Sequence, residues 1–553
     1  MVERVRHGSS MYARLADVVS APHDDMRPDR GSRPVNVADL VRSAAQADPG
    51  RTALVSEERR LTWAELDQAV DKAAAALSAT GLVAGFRVAL ALGNSIEFVI
   101  GYFGALRAGL VAVPVNPASS ADEVAGILTA VRARVVLADS GSAGAVRAAV
   151  RERAVATDPD AIPLVVPVGV AAQPGERSYD DLMSAPAQAP AVPPADPEAL
   201  AVVLFTSGTT GAPRAVMLTH RALLANLDQI SDIEPAAMQA DDVVLGLLPF
   251  CHVYGLNSVL GMVAHTGATL VIVERFDPGH TLDLVVAEKV THVPAVPQVF
   301  ASWARRDDLG DRLSTVRLLV SGAEPLPSSV RQAIQEATRL VIEEGYGLTE
   351  AGPVVTSTLC SAGSGAAAGK ARSVGAPLPG IELRIVDDAG GDVEPGEPGE
   401  IHVRGQNLFS GYWPDGDDAP GEKGWLATGD VGCLDSDGDL LLVDRLTEVV
   451  VVSGFHVYPR EVEEVIGELD GVAEVAVVAT PDKQTGEAVK AYVVPRPGSE
   501  VTPESVLSHC DARLARFKRP TVVRIVADLP RSVTGTVAKR RLRLSESESV
   551  AES

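Results

Sequence analysis

From residue 37 onward the apolar positions follow two spacings in turn. The stretch VADLVRSAAQADPGRTALV sets them at helical intervals and then in a continuous run, which predicts a helix followed by a strand. Residues 61–66, LTWAEL, lead into a second helix predicted through Leu77. Beyond it, Val/Leu/Ala-rich runs at 87–92, 111–115 and 135–137 read as strands, and amphipathic stretches at 96–110 and 123–133 read as helices. Strands separated by helices predict a mostly parallel α/β sheet. Residues 185–197, APAQAPAVPPADP, are Pro/Ala-rich and predict an extended surface connection. The texture changes beyond Asp444, where GFHVYPREVEEVIGELDGVAEVAVVATPD mixes a charged helix with a Val-rich strand. The pattern therefore divides into a polar arm over 1–35 expected to be disordered, a large α/β domain over 36–444, a small α+β domain over 445–544 and an acidic tail over 545–553.

One polar interruption stands out in this pattern. Residues 204–220 read LFTSGTTGAPRAVMLTH, in which a buried-looking strand empties into Thr206, Ser207, Gly208, Thr209, Thr210 and Gly211. A run of only Ser, Thr and Gly lets the backbone approach a ligand closely, and its successive N–H groups can cradle an anion. Arg214 adds a fixed positive charge suited to phosphate. No Gly-Lys-Ser/Thr ends the loop, so it is not a Walker A loop.

Composition narrows the class. A chain of 553 residues with 46% hydrophobic and 22% charged residues is too long for one ordinary core and reads as a globular protein of two or more domains. Lys plus Arg is 49 and Asp plus Glu is 73, so the formal net charge is −24 and argues against nucleic acid as a partner. Cys251, Cys360, Cys433 and Cys510 are scattered without C-x-x-C spacing, which indicates neither a disulfide framework nor a zinc site. No apolar run reaches the roughly 18–20 residues of a transmembrane helix, and the N-terminus lacks a signal-peptide core. The expected location is the cytoplasm.

Several further clusters carry chemistry. Residues 247–255, LLPFCHVYG, put His252 and Tyr254 in a Pro/Gly-punctuated turn after an apolar strand. Residues 321–326, SGAEPL, place Gly322, Ala323 and Glu324 after another strand, where a glycine lets a flat ligand lie against backbone. In 344–350, EGYGLTE, Gly345 and Gly347 are read as exposing Tyr346 as a stacking face; Thr349 offers a hydroxyl, and Glu350 a hard oxygen ligand for Mg²⁺. In 425–430, WLATGD, Asp430 is a carboxylate of the kind that holds the two hydroxyls of a ribose. The acidic turn 435–439, DSDGD, lacks a bidentate Glu at the twelfth position and is not read as a calcium loop.

TSGTTG-x-P-R followed by LTH resembles the phosphate loop of the adenylate-forming superfamily, which includes acyl-CoA synthetases, luciferases and nonribosomal adenylation domains. The resemblance runs through residues 37–544 with the motifs in the family's order, among them LP-x-x-H-x-x-G, YG-x-TE, TGD, the hinge DRLTE and GF-x-V-x-P-x-E. It implies ATP, Mg²⁺ and coenzyme A as cofactors and a carboxylic acid, fatty first and aryl second, as substrate. It further implies that the phosphate loop, Gly322, Ala323, Glu324 and the run Glu344, Gly345, Tyr346 and Gly347 bind nucleotide, with Asp430 on the ribose. Thr206 and Glu350 would hold magnesium. His252 would gate an acyl pocket lined by Tyr254, Gly322, Pro353 and Val354. The implied catalytic set is His252, Thr349, Glu350, Arg445 and the residue after the Gly of 529–537. By the same resemblance, the Gly454 region walls a coenzyme A tunnel and Lys518 contacts coenzyme A phosphates. An acyl carrier protein is the alternative acceptor, and a silent nucleotide-binding homologue the alternative reading.

Two departures bear on that last reading. Thr447 stands two residues past Arg445, where the family has Asp or Lys at its hinge. Thr536 stands where the family's catalytic lysine would be, in LPRSVTGTV, and Lys539 follows three residues later. Loss of such a charged donor lowers a rate by about 10²–10³. Thr536→Lys is therefore expected to raise acid-dependent pyrophosphate release by about that factor, measured with a coupled pyrophosphate assay; an unchanged rate would count against attenuation at this position.

Overall fold

The computed structural model describes residues 34–57, 59–156, 162–184, 196–206, 213–361, 370, 373–387, 389–421, 423–446, 448–453, 455–482, 484–531, 537–539 and 541–543. The described chain forms a large N-terminal α/β domain with mostly parallel sheets and a small C-terminal α+β domain. One six-stranded sheet runs in the order Leu164–Pro167, Val135–Ala138, Arg87–Ala91, Val111–Pro114, Leu200–Thr206, Arg214–Thr219. All its pairings are parallel except the last, an antiparallel hairpin whose two ends flank the phosphate loop. A nine-stranded sheet has a parallel centre and antiparallel edges. Among its members are Leu318–Ser321 and Ile342–Gly347, each followed by a loop that carries site residues.

The predicted elements are found with small shifts at their ends. The helix predicted over 123–133 spans Ala121–Val131, starting at a Ser120/Glu123 capping box. The helix predicted over 96–110 ends at Arg107, because the chain turns at Ala108 and Gly109 to enter the strand Val111–Pro114. Helix Trp63–Ser78 likewise opens on a capping box, from Thr62 and Glu65. It packs against Ile96–Arg107 so closely that a Cβ at Gly104 would lie 2.6 Å from the Cβ of Ala73. Ile96–Arg107 is apolar almost all round, which fits its position in the main core.

Two features have no counterpart in the hydrophobic pattern. Strands Glu382–Val386, Gly399–Arg404, Leu426–Leu434 and Leu440–Arg445 form a separate antiparallel sheet. Directly after the turn expected over 247–255, residues Tyr254–Gly261 form a π-helix. The acidic turn at 435–439 is organised around a lysine. Lys370 Nζ lies 2.8 Å from Asp435, 2.8 Å from Asp437 and 2.9 Å from Asp439, which occupies the position a metal ion would need. Among the described residues no helix is long and apolar enough to cross a membrane. The expected Pro/Ala-rich connection falls mostly outside the described residues, as do the N-terminal arm over 1–33 and the acidic tail.

The small domain is built on strands Val450–Val452, Phe455–Val457, Val472–Asp482, Gly486–Pro495 and Val522–Ile525, with helices Pro459–Gly467 and Pro503–Asp511 packed on them. Gly104→Ala inserts a methyl group into the close contact between helices Trp63–Ser78 and Ile96–Arg107. It is expected to cost about 1–3 kcal/mol of stability, seen as a lowered midpoint in urea denaturation.

Candidate active site

The hairpin Leu200–Thr206/Arg214–Thr219 puts Thr206 and Arg214 opposite each other, and Thr206 Oγ1 donates to the Arg214 carbonyl at 3.4 Å. Both ends of the phosphate loop are thus fixed, while Ser207, Gly208, Thr209, Thr210 and Gly211 lie outside the described residues. The Arg214 guanidinium lies 3.3 Å from the centre of the Tyr412 ring and pairs with Asp418. The Tyr412 hydroxyl donates to Glu350 Oε1 at 2.6 Å. Tyr412 therefore links the cation of the phosphate loop to the acid read as a magnesium ligand. No sequence motif singled it out; its position in Gly-Tyr-Trp after an irregular loop was the available signal.

Glu350 and Thr349 sit in a short 3₁₀ turn, Thr349–Ala351, after the strand Ile342–Gly347. Gly345 and Gly347 do not expose Tyr346. They allow the backbone of residues 353–357 to cross nearby, since a Cβ at Gly347 would lie 2.1 Å from the Pro353 carbonyl oxygen and one at Gly345 2.8 Å from that of Thr356. Tyr346 is only 8% exposed, and its hydroxyl donates to Asp430 Oδ2 at 2.7 Å. The free stacking face expected of it is absent because the ring is packed into the main core.

Asp430 and Arg445 are direct partners across the antiparallel strands Leu426–Leu434 and Leu440–Arg445. Arg445 Nε stands 3.3 Å from Asp430 Oδ1. Burial pushes the Asp430 carboxyl up from the ordinary range, and the Arg445 charge opposes this. The result is a buried carboxylate fixed from two sides, by a guanidinium and by a phenol.

Gly322 follows the strand Leu318–Ser321, and a Cβ there would lie 2.8 Å from Cε1 of Tyr254. The bare backbone expected to receive a flat ligand is thus covered by this ring. Ala323 adopts φ +71°, a left-handed conformation costly for a residue with a side chain, and this sets the direction of the loop. Glu324 accepts from the Gln298 amide, and burial pushes its carboxyl up. The Glu344 carboxylate pairs with Arg331 and accepts from the Leu326 N–H at 3.2 Å. Glu344 is 6% exposed, so it serves to tie the 322–326 loop to its neighbouring strand.

His252 Nδ1 accepts from the Tyr254 N–H at 3.3 Å, and burial pushes the imidazole pKa down. Both observations describe a neutral ring at pH 7. Residues 351–354 are held by three buried asparagines that sequence reasoning passed over. Asn407 Nδ2 donates to the Ala351 carbonyl at 2.6 Å, and Asn257 Nδ2 to that of Gly352 at 2.7 Å. Asn226 donates to the Val354 carbonyl at 2.8 Å and accepts from the Val354 N–H at 3.1 Å. Pro353 and Val354 owe their position to these amides. The signal was a lone Asn inside an apolar run, as in HRALLANLDQI.

Among the described residues no cluster of three or more His, Cys, Asp or Glu side chains could hold a metal by itself. Mg²⁺ that arrives with nucleotide phosphates needs only one or two protein oxygens, and Glu350 beside the phosphate loop fits that requirement. Thr536, Thr447 and Gly454 lie outside the described residues. Lys539 does not stand free to replace a lysine at 536: its ammonium is paired with Glu448 and Glu463. Lys518 is likewise paired, 2.7 Å from Glu461.

A large, mostly parallel α/β domain followed by a small α+β domain is the architecture of the adenylate-forming class that the motifs resemble. Comparison with known proteins agrees. The AMP-binding enzyme family matches residues 41–413 and the AMP-binding enzyme C-terminal domain matches residues 461–536. The chain belongs to the AMP-binding enzyme family, within the adenylate-forming superfamily. It is 36% identical over 511 residues to the 3-[(3aS,4S,7aS)-7a-methyl-1,5-dioxo-octahydro-1H-inden-4-yl]propanoyl:CoA ligase of Mycobacterium tuberculosis, covering 90% of this chain and 96% of the relative. It is 30% identical over 550 residues to a long-chain-fatty-acid–CoA ligase of Bacillus subtilis, covering 95% and 96%. Among solved structures, ATP-bound MatB from Rhodopseudomonas palustris superposes with a TM-score of 0.83 at 30% identity, covering 92% of this chain and 99% of that one.

Asn226→Leu removes both partners of Val354 in a buried setting. It is expected to cost about 1–3 kcal/mol per unpaired group, read by urea denaturation, where a change below the error would sink the clamp.

Proposed function

We propose that this protein activates a small carboxylic acid with Mg·ATP and then transfers the acyl group to coenzyme A. In the first step a carboxylate oxygen attacks the α-phosphorus, an acyl-adenylate forms and pyrophosphate leaves. In the second the coenzyme A thiolate attacks the acyl carbonyl and AMP leaves. The observation that carries the reading is the Tyr346–Asp430–Arg445 group, a largely buried carboxylate held by a phenol and a guanidinium and suited to accept ribose hydroxyls. That two curated relatives are acid–CoA ligases supports the same reaction class.

The chain's own work is positioning and charge neutralisation. Arg214 and the loop N–H groups receive the phosphates, Arg445 reaches the ribose–phosphate side, and Thr349 supports the α-phosphate. Magnesium, held by Glu350 and Thr206, supplies further neutralisation of phosphate charge when bound. The pocket is formed by His252, Tyr254, Gly322, Pro353 and Val354. His252 is neutral and burial keeps the Tyr254 phenol protonated, so the pocket presents no charge to the acyl tail. This favours a medium- or long-chain fatty acid over an amino acid. The Tyr254 ring over Gly322 is the observation that favours the second reading, an aryl acid. We further propose that residues 36–444 form the nucleotide domain, that residues 445–544 rotate on the Arg445 hinge between the two steps, and that Thr536 leaves adenylation attenuated.

The decisive assay is carboxylate-dependent pyrophosphate release across fatty and aryl acids, run with and without coenzyme A. Release that needs one acid class identifies the substrate; silence across the panel that persists in Thr536→Lys overturns the enzymatic reading in favour of a silent nucleotide-binding homologue. In an active preparation, Asp430→Ala and Glu350→Ala are each expected to lower kcat/KM for ATP by about ten- to a hundredfold, the value of charged hydrogen bonds to a bound ligand. Near-normal rates would remove both residues from the site.

A further inference from the structure

The C-terminal segment that follows the missing catalytic lysine reaches back to the hinge. Leu542 is buried with Ala476, Val478 and Tyr492 on the small domain's sheet, and the Leu542 carbonyl accepts from the Tyr492 hydroxyl at 3.4 Å. From that anchored segment Lys539 extends an ammonium that is 2.9 Å from Glu448 and 2.8 Å from Glu463. The Lys539 side chain is 15% exposed, and both acids are largely buried. Arg543 makes a second contact with the same residue, from Nη2 to the Glu448 carbonyl at 3.4 Å.

What the segment grips is the turn that leaves Arg445. The N–H groups of Glu448 and Val449 donate to the Arg445 carbonyl at 2.9 and 3.1 Å, and the Leu446 N–H donates to the Gly429 carbonyl at 3.0 Å. Arg445 in turn meets Asp430, which carries the Tyr346 hydroxyl. Asp444, one residue earlier, accepts from the Arg460 N–H at 2.9 Å at the start of the helix that holds Glu463. Three acids from separate segments, Asp444, Glu448 and Glu463, thus face one lysine. Burial pushes the Asp444 and Glu463 carboxyls up, and the Lys539 charge opposes this in both. A contiguous path of contacts runs from Lys539 through Glu448 and Arg445 to Asp430.

We infer that Lys539 is a positioning residue that fixes the 445–449 turn, and through it Arg445 and Asp430, so that the C-terminal segment sets the affinity of the nucleotide site. It is not the substitute for the lysine absent at 536, because its ammonium is already committed to two carboxylates. The effect on nucleotide rests on the reading of Asp430 and Arg445 given above; the effect on the turn does not.

The test compares the full-length chain with Lys539→Gln, Lys539→Arg and Glu448→Gln, by hydrogen–deuterium exchange and by calorimetric titration with AMP. Lys539→Gln and Glu448→Gln are both expected to speed exchange at the Glu448 and Val449 amides and to weaken AMP binding by about two- to thirtyfold, the range for coupling through a packed network. Lys539→Arg keeps the charge and should restore both. Unchanged exchange at these amides overturns the inference, as does a rise of equal size at the strand Val111–Pro114, which would mean general destabilisation. Loss of about 10²–10³ in acyl-adenylate formation with AMP affinity and exchange intact would instead make Lys539 the displaced catalytic donor. If the wild-type chain binds no AMP, the proposed function fails, while the exchange comparison still decides whether Lys539 holds the turn.

Discussion

The active-site side of the large domain depends on how the irregular backbone of residues 351–354 satisfies its hydrogen bonds away from water. This segment links the 3₁₀ turn Thr349–Ala351 to the strand Val354–Ser357, so regular ladder pairing cannot serve all of it. Asn226, Asn257 and Asn407 supply the missing partners, and each is essentially buried. A side-chain amide can both donate and accept, which lets one residue replace a strand neighbour where no strand fits. Because an unpaired buried amide is costly, these three contacts define a single arrangement for the loop.

Around that loop the charges are arranged in pairs that aromatic groups hold in place. Tyr412 has Arg214 on its face and Glu350 on its hydroxyl. Tyr346 caps Asp430, which Arg445 meets from the adjoining strand. Arg214 and Glu350 are kept near each other through Tyr412, Arg445 and Asp430 are paired directly, and in each case a phenol fixes the acid's orientation. Such preorganisation suits a reaction in which phosphate charge must be received without rearrangement of the protein.

Thr447 and Thr536 are the two departures from the motifs that the chain otherwise resembles. The cluster of Lys539 with Glu448 and Glu463 puts the nearby positive charge into holding the hinge turn. The proposed attenuation of adenylation and the grip on the 445–449 turn are separate matters, because Lys539 is engaged with Glu448 and Glu463.

Much of the architecture was legible in the chain. Strand–helix alternation over 87–137 predicted the parallel sheet, because period-2 or continuous apolar runs and 3.6-residue periodicity report burial directly. The motifs at 204–220, 344–350 and 425–430 pointed to the loops that follow buried strands, because runs of Gly, Ser and Thr interrupt the apolar pattern there. The antiparallel sheet over 382–445 was not legible, since its half-exposed strands carry only weak alternation. Nor was the burial of Tyr346, the ring of Tyr254 over Gly322 or the role of Tyr412. Local sequence determined which polar and charged groups this protein places in the loops after its strands. Only tertiary structure decided which of them face one another, because hydrogen-bond partners such as Tyr346 and Asp430 stand 84 residues apart and their pairing depends on how whole strands cross.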